Sequence, residues 1–400
     1  MAADLSPTQL QRFRDYFAER RDAVVALTRA LVEQESPSGD AEGSRAVVTL
    51  LETEMRALGA TATLERIEAP GNYGVHLRMS VFGESADSAN GADGADDART
   101  TLLLGHTDTV HPRGSLALRP WREEDGRLYA PGIFDMKANC ALAVEALRAC
   151  ASLGQRPRRR VVLLLTCDEE TGSASGRALV EEEARRAEQV LVLEPSAPGG
   201  HAKTARKGTG LFTLFAEGRA AHAGLEPEKG ASAILELARQ IERLHALSDA
   251  ARGVNVNVGV VAGGTRSNVV AAEARADIDV RFSTNEDARQ IKEAILNLRP
   301  CDERVRLRVE GDINRPPLER TQRVVSLYER ARAVAAALDY ELGETSVGGA
   351  SDGNFAASVG AAVLDGLGVA GDGAHASHEH ILTTDIARRG ALLAALVAAL

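Results

Sequence analysis

At 400 residues the chain is long enough for two domains, each with its own hydrophobic core. A net charge of −10 argues against nucleic-acid and anionic-membrane partners, and no apolar stretch reaches the length of a membrane helix. The cysteines lack a CxxC spacing and the N-terminus lacks a basic segment followed by an apolar run, which predicts a cytoplasmic protein with free thiols.

The N-terminal segment predicts two helices and a strand pair. Ser6-Pro7-Thr8-Gln9 forms a capping-box pattern ahead of a helical apolar repeat, and a second helix over 41–58 is closed by Gly59. Strands follow over 61–67 and 74–82. The acidic segment 84–99 has too few apolar residues to fold on itself, so we expect a mobile loop.

The stretch Leu102-Leu103-Leu104-Gly105-His106-Thr107-Asp108 reads as a buried strand that delivers a histidine and an aspartate at its carboxyl end. Ligands and chemistry lie at that end in an open α/β sheet. By itself the stretch is equally typical of a capping Asp108 beside a surface His106, or of a histidine held by a carboxylate for stability.

Two further apolar strands end in acidic residues. The strand over 161–165 runs into Asp168-Glu169-Glu170, and the strand over 190–193 is followed by Glu194. A solvated charge run is the usual explanation, but here the charges begin where buried strands end. Asp135 stands just before a predicted helix over 137–153, where it could simply cap the helix.

From about residue 205 the pattern changes to strand, helix, two strands, helix and strand, which is the ferredoxin-like arrangement. We therefore predict an inserted module over 206–311, within a discontinuous domain over 1–205 and 312–400. The second piece of that domain ends with a loop that holds three histidines, at 375, 378 and 380, before a final Ala-rich helix.

Mixed imidazole and carboxylate side chains at one sheet edge predict a metal site of His106, Asp135, Glu170, Glu194 and one loop histidine, for which we choose His378. Two Zn²⁺ ions fit better than one, because three carboxylates and a bound hydroxide balance two divalent charges; Co²⁺ and Mn²⁺ are alternatives. Asp135 is suited to bridge the metals, Glu169 to act as general base, and Asp108 to hold His106 through its second ring nitrogen.

These motifs resemble the M20 family of metallopeptidases, above all its glutamate carboxypeptidase branch, and are also similar to acetylornithine and succinyl-diaminopimelate deacylases. The resemblance covers nearly the whole chain. It rests on GHTDTV at 105–110, PGIFDMK at 131–137, TCDEETGS at 166–173, LEP at 193–195, RAAHAG at 219–224, GGTRSNVV at 263–270 and HASHEHI at 375–381.

The resemblance implies an α/β fold with two domains: a mixed-sheet αβα metallohydrolase catalytic domain and an inserted ferredoxin-like α+β lid and dimerisation domain. It makes His106 and Glu194 the ligands of one metal, Glu170 and His378 those of the other, with Asp135 bridging and Glu169 activating the water between them. It also implies a cis peptide at Asp135-Met136 and a homodimer formed through the lid.

The resemblance further assigns six residues to the substrate. His222 corresponds to a residue that polarises the scissile carbonyl, although from the sequence alone it would be a turn residue. The positions that match holders of the substrate carboxylate are Asn268, Arg281, Arg315, Lys207 and Gly349. Alternatively, Arg281 is simply an exposed residue of a strand.

The favoured hypothesis is a carboxypeptidase that cuts an amide beside a free α-carboxylate of a small peptide or N-acyl amino acid and releases an amino acid, with glutamate favoured. An N-acyl amino acid deacylase or a dipeptidase would use the same metals. A non-catalytic binding protein on the same fold should lack a ligand or the base, and all six positions hold competent residues. A nucleotide-binding fold is set aside because no GxGxxG links a strand to a helix.

Overall fold

The structure is a computed structural model that describes residues 5–58, 62–82 and 99–400. The chain divides into two compact units: one holds residues up to Ala205 together with Arg320–Val347 and Ser351–Leu400, and the other holds Arg206–Glu319 and Gly348–Ala350. The predicted cap Gly59 and most of the predicted loop over 84–99 lie outside the described residues.

The first unit contains the following elements up to the insertion: α1 (Pro7–Glu33), α2 (Ala41–Arg56), β1 (Thr63–Ala69), β2 (Gly74–Val81), β3 (Thr100–His106), α3 (Ser115–Leu118), β4 (Arg122–Glu124), β5 (Arg127–Tyr129), α4 (Ala138–Ser152), β6 (Val161–Thr166), α5 (Arg177–Arg186), β7 (Ala187–Val192) and β8 (Ala202–Arg206). The predicted capping box is confirmed, because Ser6 Oγ accepts from the Gln9 amide at 3.3 Å and Gln9 Oε1 accepts from the Ser6 amide at 2.8 Å.

The second unit has the predicted order of elements: β9 (Gly208–Glu217), α6 (Ala233–His245), β10 (Asn255–Gly263), β11 (Glu273–Phe282), α7 (Asn285–Leu296) and β12 (Arg306–Arg315). Its antiparallel sheet has the order β10-β11-β9-β12, which is the ferredoxin-like arrangement. Apolar residues such as Leu214, Ile278 and Phe282 form a separate core with α6 and α7.

The chain then returns to the first unit through α8 (Gln322–Ala337), β13 (Glu344–Val347), α9 (Asp352–Ser358), β14 (Ala362–Leu364), β15 (Gly371–Asp372), β16 (His380–Leu382) and α10 (Thr383–Ala399). The predicted terminal helix is α10, which packs against α1 and α4. Gly390 permits the close approach, since a Cβ there would lie 2.3 Å from Phe17 Cδ1. No described helix has the length and apolar character needed to cross a bilayer.

The predicted boundary at 311/312 is wrong in position, because it falls inside β12. The alternation of Val305, Leu307 and Val309 stops at Gly311, but the strand continues beside β9 to Arg315, which pairs with Thr209. Gly311 keeps the ladder close with a φ of 116°; a Cβ there would lie 2.1 Å from the Leu211 carbonyl oxygen.

In the described ranges, the main sheet of the first unit has six strands in the order β1-β2-β6-β3-β7-β14. β3 lies parallel to β6 on one side and to β7 on the other, and β14 is parallel to β7, whereas β1 and β2 are antiparallel additions. Every residue of β3 and of β6 is buried, which is typical of a parallel sheet covered on both faces. The carboxyl ends of β6, β3 and β7 therefore meet at one edge.

Candidate metal centre

The polar residues of the candidate site follow the three central strands. His106 is the last residue of β3, Glu169 and Glu170 lie in a short 3₁₀ turn just after β6, and Glu194 comes two residues after β7. The chain passes from β3 to β6 on one side and then to β7 on the other, so this edge is a topological switch point. The sheet explains why residues far apart in sequence come together here.

Asp135 reaches the same edge from the loop before α4. The loop is kinked within Ile133–Lys137, where Asp135 and Met136 have non-helical backbone angles, and the Asp135-Met136 peptide is cis, as the resemblance implies. Met136 Sδ accepts a hydrogen bond from the His106 amide at 3.3 Å. Gly105 makes this contact possible, because a Cβ there would lie 2.5 Å from Met136 Cε.

Within the described part of the chain there are two groups of metal-ligating atoms, and both contain Asp135. His106, Asp135 and Glu194 make one group, and Asp135, Glu170 and His375 make the other; within each group the ligand atoms lie within 4.8 Å of one another. His106 Nε2 lies 3.2 Å from Asp135 Oδ1 and 3.4 Å from Glu194 Oε1. His375 Nε2 lies 3.5 Å from Asp135 Oδ2 and 3.0 Å from Glu170 Oε2. The two oxygens of Asp135 thus face two different histidines.

The prediction of His378 as the loop ligand is wrong, and His375 takes that place. His378 is exposed and belongs to neither donor group found among the described residues. The loop turns at His375, which has a left-handed φ of 64°, and the Ala376 amide donates back to the Gly373 carbonyl at 2.8 Å. This turn, which no sequence periodicity reveals, decides which of the three histidines meets Glu170.

The electrostatics of the cluster favour a cation. Burial works against protonation of His106, but hydrogen bonds with Asp108, Asp135 and Glu194 outweigh it and raise the pKa of His106 well above its ordinary value. Hydrogen bonds with Asp135 and Glu170 raise the pKa of His375 to about 10. Burial raises the pKa of Glu170, because its carboxylate leaves water for a site that other carboxylates share.

Asp108 supports the site but holds His106 differently from the prediction. The nearest contact of His106 Nδ1 is the backbone carbonyl of Asp108 at 3.0 Å, with the Asp108 carboxylate at 3.4 Å. That carboxylate accepts the amides of Glu169 and Glu170 at 3.2 and 3.1 Å, and the Ser38 hydroxyl at 2.5 Å. Asp108 therefore fixes the turn that carries the two glutamates.

Glu169 is buried in that turn and belongs to neither donor group among the described residues. Its neighbour Glu170 is a member of one group. The turn thus places one acid in a donor group and an adjacent acid outside both groups, and the roles of ligand and general base stay predictions.

The predicted substrate residues belong to the second unit. His222 is exposed, and its Nδ1 accepts the amides of Gly224 and Leu225, both at 3.1 Å. Nδ1 is therefore unprotonated, and Nε2 carries the proton and is a donor. The backbone carbonyl of Asn268 accepts the Ala223 amide at 3.0 Å, so Asn268 lies beside this turn.

The remaining predicted substrate residues lie around the start of β9, because Arg281 and Arg315 pair with Thr209 on its two sides and Lys207 directly precedes the strand. Arg281 forms a two-pronged ion pair with Asp279 at 2.8 and 2.9 Å. The Gly349 carbonyl accepts from Arg206 at 3.1 Å. Arg315 is buried at the end of β12, and Lys207 lies between β8 and β9.

Sequence reasoning also missed Glu379, a buried carboxylate whose oxygens accept the amides of Gly132, Phe134 and Asp135. Only its position four residues after His375 hinted at a role, and that signal is too weak without the fold.

The donor set fits two divalent metal ions. Glu170 Oε1 is buried and has no hydrogen-bond partner among the residues that the structure describes, and a metal ion would supply one. Imidazole nitrogen and carboxylate oxygen are the ligands that Zn²⁺ commonly has in proteins, and Co²⁺ and Mn²⁺ accept the same set. The three carboxylates also supply the negative charge that two such ions require.

A mixed α/β domain with this donor cluster at its switch point, joined to a ferredoxin-like module, defines a metallopeptidase-type hydrolase. The chain belongs to the family described as peptidase family M20/M25/M40, whose model matches residues 102–399.

Two curated relatives illustrate the likeness. The chain is 30% identical to carboxypeptidase G2 of Pseudomonas sp. (strain RS-16) over 95% of this chain and 89% of that protein. It is 30% identical to the succinyl-diaminopimelate desuccinylase of Alkalilimnicola ehrlichii over 70% of this chain and 79% of that protein.

Solved structures share the fold. The aminopeptidase PepT of Bacillus cereus superposes with a TM-score of 0.76 at 22% identity, covering 94% of this chain and 98% of that one. The Bacillus subtilis YXEP protein, described as a dinuclear metal binding peptidase from the M20 family, superposes with a TM-score of 0.63 at 14% identity, covering 95% and 98%.

Proposed function

We propose that this chain is a two-metal hydrolase that cleaves an amide bond beside a free α-carboxylate and releases an amino acid, with glutamate favoured. The observation that carries the proposal is Asp135, whose two oxygens face His106 on one side and His375 on the other. The likeness to carboxypeptidase G2 over 95% of the chain supports a carboxypeptidase activity.

In this proposal His106 and Glu194 would hold one ion, His375 and Glu170 would hold the other, and Asp135 belongs to both donor groups. Zn²⁺ is the favoured metal, with Co²⁺ and Mn²⁺ as alternatives. Two divalent ions held there would polarise the scissile carbonyl and lower the pKa of the attacking water towards neutrality.

Glu169 acts as the general base. Its carboxylate takes a proton from the attacking water as the water oxygen bonds to the carbonyl carbon, and returns it to the leaving nitrogen as the C–N bond breaks. The hydrogen bonds from the Glu169 and Glu170 amides to Asp108 fix the turn, so the base and its neighbouring ligand keep a constant separation.

The second unit is proposed to recognise the substrate. His222, with a donor Nε2, would hydrogen-bond the scissile carbonyl oxygen, and Asn268 lies beside the same turn. Arg281, supported by Arg315, Lys207 and the Gly349 loop, would bind the α-carboxylate as a guanidinium fork. Asp279 contacts the Nε and Nη2 donors of Arg281, so a substrate carboxylate would bind the Nη1–Nη2 edge or take the place of Asp279.

An N-acyl amino acid deacylase is the alternative, favoured by the 30% identity to a succinyl-diaminopimelate desuccinylase. Both classes of substrate carry the α-carboxylate on the amine side of the amide. They differ in the acyl group and in the side chain of the amino acid that is released.

A hydrolysis panel tests the proposal. Zinc-loaded protein is incubated with a dipeptide ending in glutamate, an N-acyl-glutamate, N-acetylornithine and N-succinyl-diaminopimelate, and the released amine is quantified. We expect fastest release from the glutamate substrates, and faster release from the other two would favour the alternative.

Glu169→Gln should lower kcat by about 10²–10⁴-fold with both metals retained. A wild-type chain that holds two metals but releases no amine would contradict the proposal, and near-wild-type activity of Glu169→Gln would overturn the base assignment.

We further propose a homodimer formed through the second unit. Ile234 and Leu235 on α6, and Val260 and Val261 on β10, are all about half exposed. β10 is an edge strand of its sheet, and Ile234 lies against the Gly264 turn that follows it. A second copy would cover these apolar side chains and pair the open edge.

A further inference from the structure

The buried carboxylate of Glu379 accepts hydrogen bonds from four donors, three of which are backbone amides of one loop. Its Oε1 accepts the amides of Phe134 and Asp135 at 2.9 and 3.0 Å, and its Oε2 accepts the Gly132 amide at 2.8 Å and His111 Nε2 at 2.6 Å. The side chain is only 2% exposed. One buried carboxylate therefore gathers three backbone amides of the loop that carries Asp135.

We propose that Glu379 is a positioning residue that fixes the backbone of the bridging carboxylate Asp135 and ties it to the loop carrying His375. This inference rests on the proposed two-metal centre and deepens it. Asp135 must present two oxygens in two directions, and a bond to its own backbone amide limits how far the residue can rotate or shift.

The network continues from Glu379 to the other side of the histidine loop. Arg119 Nη2 contacts His111 Nδ1 at 3.2 Å, and because arginine can only donate, Nδ1 is the acceptor and Nε2 carries the proton given to Glu379. Arg119 Nη1 donates to the carbonyl of Ala376, the residue after His375, at 3.3 Å. The loop that holds His375 is thus anchored at Ala376 and again at Glu379.

Glutamine cannot replace Glu379 in this arrangement, although it has the same shape. Each oxygen of Glu379 faces two donors, and an amide has only one oxygen. Either orientation of glutamine would direct an NH₂ group at two N–H groups. His111 Nε2 could accept from that NH₂ only if the ring proton moved to Nδ1. Arg119 prevents this move, because it already donates a hydrogen bond to Nδ1. Glu379→Gln should therefore loosen the Asp135 loop without changing its packing volume.

The test is metal binding, measured separately from activity. Metal-free wild-type protein, Glu379→Gln and the control Glu123→Gln are titrated with Co²⁺, and the visible absorption of the bound ion reports affinity and coordination geometry. Glu123 is exposed on β4, so its variant makes the same chemical change away from the network. We expect Glu379→Gln to bind about 10–100-fold more weakly with an altered Co²⁺ spectrum, and Glu123→Gln to match wild type. The thermal unfolding midpoint of each metal-free protein checks that folding is retained.

A second variant keeps the inference testable if Glu379→Gln does not fold. Glu379→Asp keeps the charge and both oxygens but draws them back by one methylene from the three backbone amides; it should weaken Co²⁺ binding about 10-fold. Wild-type affinity and spectrum in Glu379→Gln, or in Glu379→Asp where that variant is decisive, would overturn the inference. These results leave the proposed function standing. Failure of metal-loaded wild type to hydrolyse the substrate panel would instead refute the proposed function alone, and a wild-type chain that binds no Co²⁺ would overturn both.

Discussion

His375 and His378 stand three residues apart in one loop, yet they make different contacts. Both side chains are exposed, but His375 contacts Asp135 and Glu170, whereas His378 belongs to neither donor group found among the described residues. The residue types of the site could be predicted from the sequence, because buried strands place their polar ends at one sheet edge. The choice among three neighbouring histidines could not, because it depends on the left-handed turn at His375.

Paired substitutions at these two histidines test the assignment. His375→Ala removes a ligand of one donor group, so we expect that variant to lose one of two bound metals and most of its activity. His378→Ala should retain both metals and near-wild-type turnover. Metal content by elemental analysis after gel filtration decides between them, and the reverse result would restore His378 as the ligand.

The strands that carry the site were the most predictable elements. β3 and β6 are continuous apolar runs, and such runs occur where both faces of a strand are covered. The small sheet of β4, β5, β15 and β16 was not predicted, because strands of two or three residues show no periodicity. That sheet matters to the site, since β16 begins at His380, directly after Glu379, and pairs with β5.

Helices α1 and α4 are joined by a charged contact at Glu145. Its carboxylate accepts from the Tyr16 hydroxyl at 2.7 Å and from Arg20 Nε at 2.8 Å, and it also pairs with Arg148. Burial raises the pKa of Glu145, but the hydrogen bonds from Arg20 and Tyr16 outweigh it, and the pKa lies below its ordinary value. The ionised carboxylate is thus favoured in the folded state.

The Glu145 contact predicts that the difference in stability between the wild type and a Glu145→Gln variant depends on pH. A group whose pKa is lower when folded stabilises the protein above its unfolded pKa, and the stabilisation is lost as the pH falls through the folded pKa. Glu145→Gln should therefore lower the free energy of unfolding by about 1–3 kcal/mol at pH 7, and the gap should narrow below about pH 4.5. Urea unfolding of both proteins across this range measures the gap, and a gap that stays constant or widens in acid would contradict the assignment.

At the scale of the whole molecule, the order βαββαβ was sufficient to predict a second module, because each helix and strand in it has a clear period. The predicted boundary at 311/312 falls inside β12, because the strand continues through Gly311 to Arg315. The second unit has its own core and an exposed apolar edge, which is the basis for the proposed dimer.

A measurement of the oligomeric state tests the proposed dimer interface on the second unit. We expect wild-type protein to be a dimer in sedimentation velocity, and Val260→Lys combined with Ile234→Glu to shift it to monomer. Leu296→Glu, at an exposed apolar position on α7, serves as the matched control and should remain dimeric. A monomeric wild type, or a double variant that stays dimeric, would contradict the proposed interface.

The central claim is that Asp135 joins two donor groups that hold two divalent ions. The most direct test is a titration of metal-free wild-type protein with Zn²⁺, with bound metal counted per chain and compared with Asp135→Ala. The account predicts two equivalents in the wild type and loss of both tightly bound ions in the variant, because Asp135 is shared. A wild-type stoichiometry of one or none, or an Asp135→Ala chain that still holds two ions with unchanged affinity, would contradict it.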